Sequence, residues 1–170
     1  MPLDALVIYE DDARSITEQL DAFLMSSRAT FAILIDRSGQ VIAERGYAQR
    51  RAAEELAALA AAAFAATEHV ARLIGENAFS VLFHQGEQQN LHLSIVGDNA
   101  LLLAAFDDRT TLGLVRLYAA EAAENLALVV EGARGRSAAG LLPDSPEGDI
   151  FRRQSPEQGP AAEDARTRET

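Results

Sequence analysis

The sequence predicts an α/β fold of the α/β/α sandwich type, with helices on both faces of a mostly antiparallel sheet of five short strands. Three observations carry this prediction. The periodic segments follow the order helix, two strands, long helix, three strands, helix, within 170 residues. Two of the strands, 30–36 (TFAILID) and 100–106 (ALLLAAF), are apolar without alternation, so each is central and covered on both sides. The stretch 50–75 (RRAAEELAALAAAAFAATEHVARLIG) contains strong helix formers and no proline, and at about 1.5 Å per residue it spans nearly 40 Å.

Each element has its own signal. A first helix starts near Asp11 or Asp12, either of which can cap it, and runs to about residue 26 with Ile16, Leu20, Phe23 and Leu24 as its buried stripe. After the strand 30–36, Arg37, Ser38, Gly39 and Gln40 have turn chemistry, and 41–43 resumes as the second strand of a hairpin. The long helix has acid in its first turns (Glu54, Glu55), Arg72 near its end and Gly75 as a left-handed cap. Its stripe Leu56, Leu59, Ala63, Ala66, Val70, Leu73 and Ile74 is expected on the core. The strand 78–84 puts Phe79, Val81 and Phe83 on one face, and 91–96 alternates with His92 and Ser94 opposite Leu91, Leu93 and Ile95. Thr110 or Thr111 caps a last helix with the stripe Leu114, Leu117, Tyr118, Ala122, Leu126, Val129 and Val130, ended by Gly132. Four prolines with scattered charge follow, so a single domain is expected over 1–132 and a disordered tail over 133–170.

Composition narrows the function. The net charge is -11, and all 15 basic residues are arginine. A chain this acidic is a poor counterion for phosphate backbones or anionic lipid, which argues against nucleic acid and membrane surfaces as partners. There is no cysteine, so thiolate catalysis and cysteine–zinc sites are excluded. The start has no basic leader, and no stretch is expected to insert in a membrane because the long helix carries charge at both ends. These features predict a cytoplasmic protein.

Candidate catalytic groups do not converge. His69, His84 and His92 lie on separate elements without metal-ligand spacing, and each is expected to be a surface or satisfied histidine. Asp107 and Asp108 are adjacent and point apart on a strand end, and no glycine-rich phosphate loop is present. No enzyme, cofactor or metal is predicted. Two surfaces stand out instead. Ten of the fifteen residues over 52–66 are alanine, and Ala58, Ala61, Ala62 and Ala65, followed by His69 and Arg72, fall where a solvated helix would be charged. This face is either neutral helix-forming filler or a smooth surface that a partner backbone approaches closely. The strand 78–84 has large residues for an exposed edge (Phe79, Leu82, Phe83), so a second copy pairing there would cover it and bring two long helices together. Phe64 is placed with these three in the dimer interface.

Several stretches together resemble a known family: LVIYE, FAILIDRSGQVIAERG, VARLIGENAF, HQGEQQNLHLSIVG and FDDRTTLGLVRL, spread over residues 5–132. They are similar to the Roadblock family of dynein light-chain type, and within it to the bacterial MglB type. The resemblance implies a Roadblock/profilin-like sandwich with one long helix on one face and two on the other. It also implies a homodimer with a continuous ten-stranded sheet. Its partner would be a GTP-bound, Ras-like small GTPase of cell polarity and motility, whose hydrolysis it speeds without an arginine finger. The GTPase contact maps to Ala61 and Ala65, flanked by Ala58, Ala62, His69 and Arg72. A location at a cell pole is implied as well. The alternative is a Roadblock adaptor that binds a GTPase or motor component without changing hydrolysis.

Overall fold

A computed structural model describes residues 8–46 and 50–138. The elements are α1 (Glu10–Ser27), β1 (Phe31–Asp36), β2 (Val41–Gly46), α2 (Arg50–Leu73), β3 (Val81–His84), β4 (Asn90–Val96), β5 (Ala100–Phe106) and α3 (Leu112–Ala138). The strands form one sheet in the order β2-β1-β5-β4-β3, and every neighbouring pair is antiparallel. The unalternating strands β1 and β5 lie inside the sheet, as their composition requires, and β3 is an edge.

Alternate residues of the central strands feed two cores. Ala32 and Leu34 of β1, with Leu102, Ala104 and Phe106 of β5, pack against Ile16, Leu20 and Phe23 of α1 and Val115, Ala119, Leu126 and Val130 of α3. Ile33, Ile35, Leu101 and Leu103 point the other way, against Ala53, Ala57, Ala60, Ala61 and Phe64 of α2. One long helix therefore covers one face and two helices the other.

Two corners hold this layering. At one, Thr110 Oγ1 donates to the Ser27 carbonyl at 2.6 Å and Thr30 Oγ1 to the Ala105 carbonyl at 2.9 Å, joining the end of α1 to the start of α3. At the other, Asp36 Oδ1 accepts from the backbone N–H groups of Ser38 and Gln40, closing the β1–β2 turn. Gly39 in that turn has φ +91°, and a Cβ there would stand 2.8 Å from Ala58 Cα, so only glycine lets the turn abut α2. Arg37, next to it, pairs with Glu68 at 2.5 Å and lies over the Phe64 ring.

The seating of α2 reverses the expected face. Leu59 is 64% exposed, Leu73 85%, and Val70 and Ile74 are exposed as well, while the sheet receives alanines and Phe64. The expected dimer contact Phe64 is fully buried inside the protomer, and the expected partner contact Ala61 is buried beside it. Small side chains let the helix backbone lie close to β1 and β5; leucines at those positions would hold it away. The helix otherwise ends as its sequence indicates, with Gly75 at φ +83° and Glu76 N–H donating to the Ala71 carbonyl.

Four further expectations are corrected. The α1 cap is Tyr9, whose N–H donates to the Asp12 carboxylate, so Asp12 lies inside the helix and reaches back. The buried line of α3 is Val115, Ala119, Ala122, Leu126, Val130 and Ala133, and Leu117 is 62% exposed. Gly132 does not end α3, which continues to Ala138. Ala133 is buried, and Arg136 donates to Asp12 at 2.5 Å and lies over the Tyr9 ring, contacts that offset the roughly 1 kcal/mol helix cost of each glycine. Residues 133–138 are thus helical, and the remainder of the expected tail lies outside the described residues. Finally, by length and composition alone the 22 residues Ala52–Leu73, with mean hydropathy 1.3, could cross a membrane. Alanine raises that mean, and four of these alanines, Ala53, Ala57, Ala60 and Ala61, pack on the sheet.

If close seating of α2 organises the fold, Ala57→Leu should cost about 1–3 kcal/mol through overpacking. The urea midpoint measures this, and an unchanged midpoint would show that α2 has room to spare.

Candidate functional site

Three faces share α2, because successive residues turn by about 100°. The first lies on the sheet. The second carries Leu59, Val70, Leu73 and Ile74, all exposed, with Ala66 among them. The third is the small-residue face: Ala58, Ala62, Ala65, His69 and Arg72 are exposed together on the far flank. On it Arg72 Nη2 lies 2.7 Å from His69 Nδ1, so the guanidinium is turned along the helix. Of the six residues expected on this face, five are at the surface and Ala61 is not.

The same side of the sheet is only partly covered. The helix packs over β1, β2 and β5. Leu82 on β3 and Leu91 and Ile95 on β4 face the same side and remain half-buried. Beyond them β3 presents an edge with no neighbouring strand among the described residues. Of the expected edge contacts, Leu82 belongs to this surface and Phe79 is half-buried just before β3. Phe83 points to the opposite core, where it stacks on Phe106 with ring centroids 6.2 Å apart. Sequence reasoning missed Leu59, Val70, Leu73 and Ile74 as surface residues; their signal was the crowding of alanine on the other side of the same helix.

The polar groups offer little convergent chemistry. An open cavity of about 1070 Å³ lies at one end of the sheet, lined by Arg28, Thr30, Phe31, Gln89, Asp107 and Arg109 among others. There Arg109 Nε donates to both Asp107 carboxylate oxygens at 2.9 and 3.0 Å, which holds the carboxyl below its usual range and raises the guanidinium. No three metal-ligating side chains come together among the described residues.

His92 departs from expectation. It lies on β4 beneath α3 and is fully buried, with neither ring nitrogen hydrogen-bonded. The Ser94 hydroxyl, two residues on along the same face, also has no partner. Burial, reinforced by the charge of Arg116, pushes the imidazole down to about 4. The ring is thus held neutral.

Comparison with known proteins places this geometry. The Roadblock/LC7 domain matches residues 16–106. Among solved structures the chain is similar to an MglB with a tetrameric arrangement, at 37% identity over 76% of this chain and 97% of that one, with TM-score 0.72. It is similar to the gliding protein MglB of Thermus thermophilus at 36% identity, over 75% and 97% of the two chains, with TM-score 0.71. It is also similar to Myxococcus xanthus MglB at 38% identity, over 75% and 96%, with TM-score 0.69. No curated protein matches the chain.

The His92 geometry makes a pH prediction. The folded-state value of about 4 lies below the unfolded 6.5, so the neutral-ring contribution is complete above pH 6.5 and is lost as pH falls towards 4. His92→Leu should remove that part of the acid sensitivity and add roughly 1–2 kcal/mol near neutrality by eliminating unpartnered nitrogens. Urea melts of both proteins between about pH 4 and 7 measure it; parallel pH profiles would contradict a buried neutral ring.

Proposed function

Because the chain belongs to the Roadblock/LC7 family, we propose that it is a homodimeric activator of GTP hydrolysis for a bacterial Ras-like small GTPase of cell polarity and motility. The observation that carries this reading is the division of labour on α2. One exposed face is bulky and apolar and the other is built of small residues.

The bulky face suits a second copy. Leu59, Val70, Leu73 and Ile74 are exposed on α2, and Leu82, Leu91 and Ile95 are half-covered on the face of the sheet that α2 packs on, which ends in the open edge of β3. Twofold pairing of β3 with its counterpart joins two sheets into ten strands and brings the two α2 helices side by side over the middle. That arrangement also covers the apolar surface that makes α2 resemble a membrane span, so no insertion is needed to bury it.

The small-residue faces of the paired helices then form one platform for a GTP-bound partner. Ala58, Ala62 and Ala65 let a switch loop approach the helix backbone, and His69 with Arg72 provides polar contacts at its edge. In this reading the chain is a regulator with no active site of its own. It contributes by holding the GTPase's own residues in place for in-line attack, with Arg72 engaged along the helix by His69 and not inserted as a finger. The protein works in the cytoplasm, concentrated where its GTPase is, at a cell pole.

Single-turnover GTP hydrolysis by the same organism's Ras-like GTPase tests the reading. The chain should accelerate it, and Ala65→Arg should return the rate to its intrinsic value, a loss of up to about a hundredfold, while the dimer stays intact. Binding of GTP and GDP forms alike without acceleration would point to an adaptor instead.

A further inference from the structure

Alanine methyls give α2 a close seat, but they interlock little with the sheet, so the roll of the helix about its own axis needs a directional contact. Phe64 is the last residue of α2 in the core against the sheet. The helix runs about 13 Å further, to Leu73, and along that stretch only Ala71 is buried. This same stretch carries Ala65, His69 and Arg72 of the small-residue face.

One side chain supplies the direction. Arg37, in the β1–β2 turn, donates from Nη1 to Glu68 Oε1 at 2.5 Å and from Nε to the Asp98 carbonyl at 3.3 Å. Its guanidinium carbon lies 5.7 Å from the centre of the Phe64 ring. Its backbone N–H donates to the Asn99 carbonyl, so the turn that carries it is itself tied to the β4–β5 turn. The Arg37 and Glu68 side chains are 35% and 31% exposed, against 64% and 94% for Arg14 and Glu10, so solvent screens this pair less than an ordinary surface one. A planar guanidinium meets a carboxylate and a carbonyl in two fixed directions at once, which the point charge of a lysine does not.

Glu68 stands beside His69, one turn after Ala65 and one turn before Arg72. A roll of about 20° at a helix radius of about 5 Å would move these residues by about 2 Å. Where catalysis depends on holding groups in place, a displacement of about 1 Å is enough to cost about a hundredfold. We propose that Arg37 is a positioning residue, which clamps the C-terminal half of α2 at the roll that turns Ala65, His69 and Arg72 towards the GTPase. This inference rests on the activator reading above and adds to it a residue outside the contact face.

Two measurements test it. Single-turnover GTP hydrolysis by the same organism's Ras-like GTPase, followed over a range of concentrations of this chain, separates the maximum rate from the half-saturating concentration. Arg37→Met and Glu68→Gln should each lower the maximum rate, Arg37→Met by about tenfold or more, with the half-saturating concentration changed much less. The double variant should lose no more than Arg37→Met alone, because both break one link. Arg45→Met, which breaks the ion pair with Asp21 on α1, should keep the wild-type rate. Amide hydrogen exchange without any GTPase reads the clamp itself: Arg37→Met should speed exchange over 68–72 by about tenfold and leave 57–61 unchanged. A wild-type maximum rate in Arg37→Met, additive losses in the double variant, or unaltered exchange over 68–72 would overturn the proposal. Absence of acceleration by the wild-type chain would overturn the activator reading and the positioning role with it, and the exchange result would then decide the clamp alone.

Discussion

The contact on which the structure depends is the close seat of α2 on β1 and β5. A helix whose sheet-facing residues are Ala53, Ala57, Ala60 and Ala61 can approach more closely than one faced with leucine, and Phe64 fills the space the alanines leave. The same close approach requires Gly39 at the β1–β2 turn and lets Arg37 reach both Glu68 and the Phe64 ring. With the small residues turned inward, the large ones face outward. The apolar surface on Leu59, Val70 and Leu73 is a consequence of how the helix packs inside its own protomer.

That inversion explains where the sequence was legible and where it was not. Strand polarity was readable, because β1 and β5 are apolar almost throughout and only a doubly covered strand tolerates that. The α1 stripe and the 37–40 turn were readable for the same reason: each has one physical solution. For α2 the period of the pattern was clear but its direction was not. Periodicity identifies faces, and assigning the larger side chains to the core assumes that a helix has one apolar side. This helix has two, and side-chain volume, not hydrophobicity, decides which one meets the sheet. Phe64, one large residue among alanines, was the clue.

The other misreadings share a cause in tertiary contacts. Alternation on β4 put His92 and Ser94 on the polar side of a strand, but α3 covers that side, so two groups that look solvated are buried without partners. Gly132 looked like a helix end, and it is passed because Ala133 and Arg136 find partners a turn later. A local stop signal of about 1 kcal/mol is readily outweighed by packing and a partly buried ion pair. The small-residue flank is at the surface except for Ala61, which lies on the boundary that the close seating moves across the helix.

The central claim is that α2 leaves its bulky face for a second copy of the chain. Sedimentation equilibrium tests it most directly. The wild-type protein should have twice the 18.3 kDa chain mass, and Leu73→Glu with Val70→Glu should reduce it to one while far-UV circular dichroism stays unchanged. A wild-type protein that is monomeric at micromolar concentration, or a double variant that remains dimeric, would contradict the account.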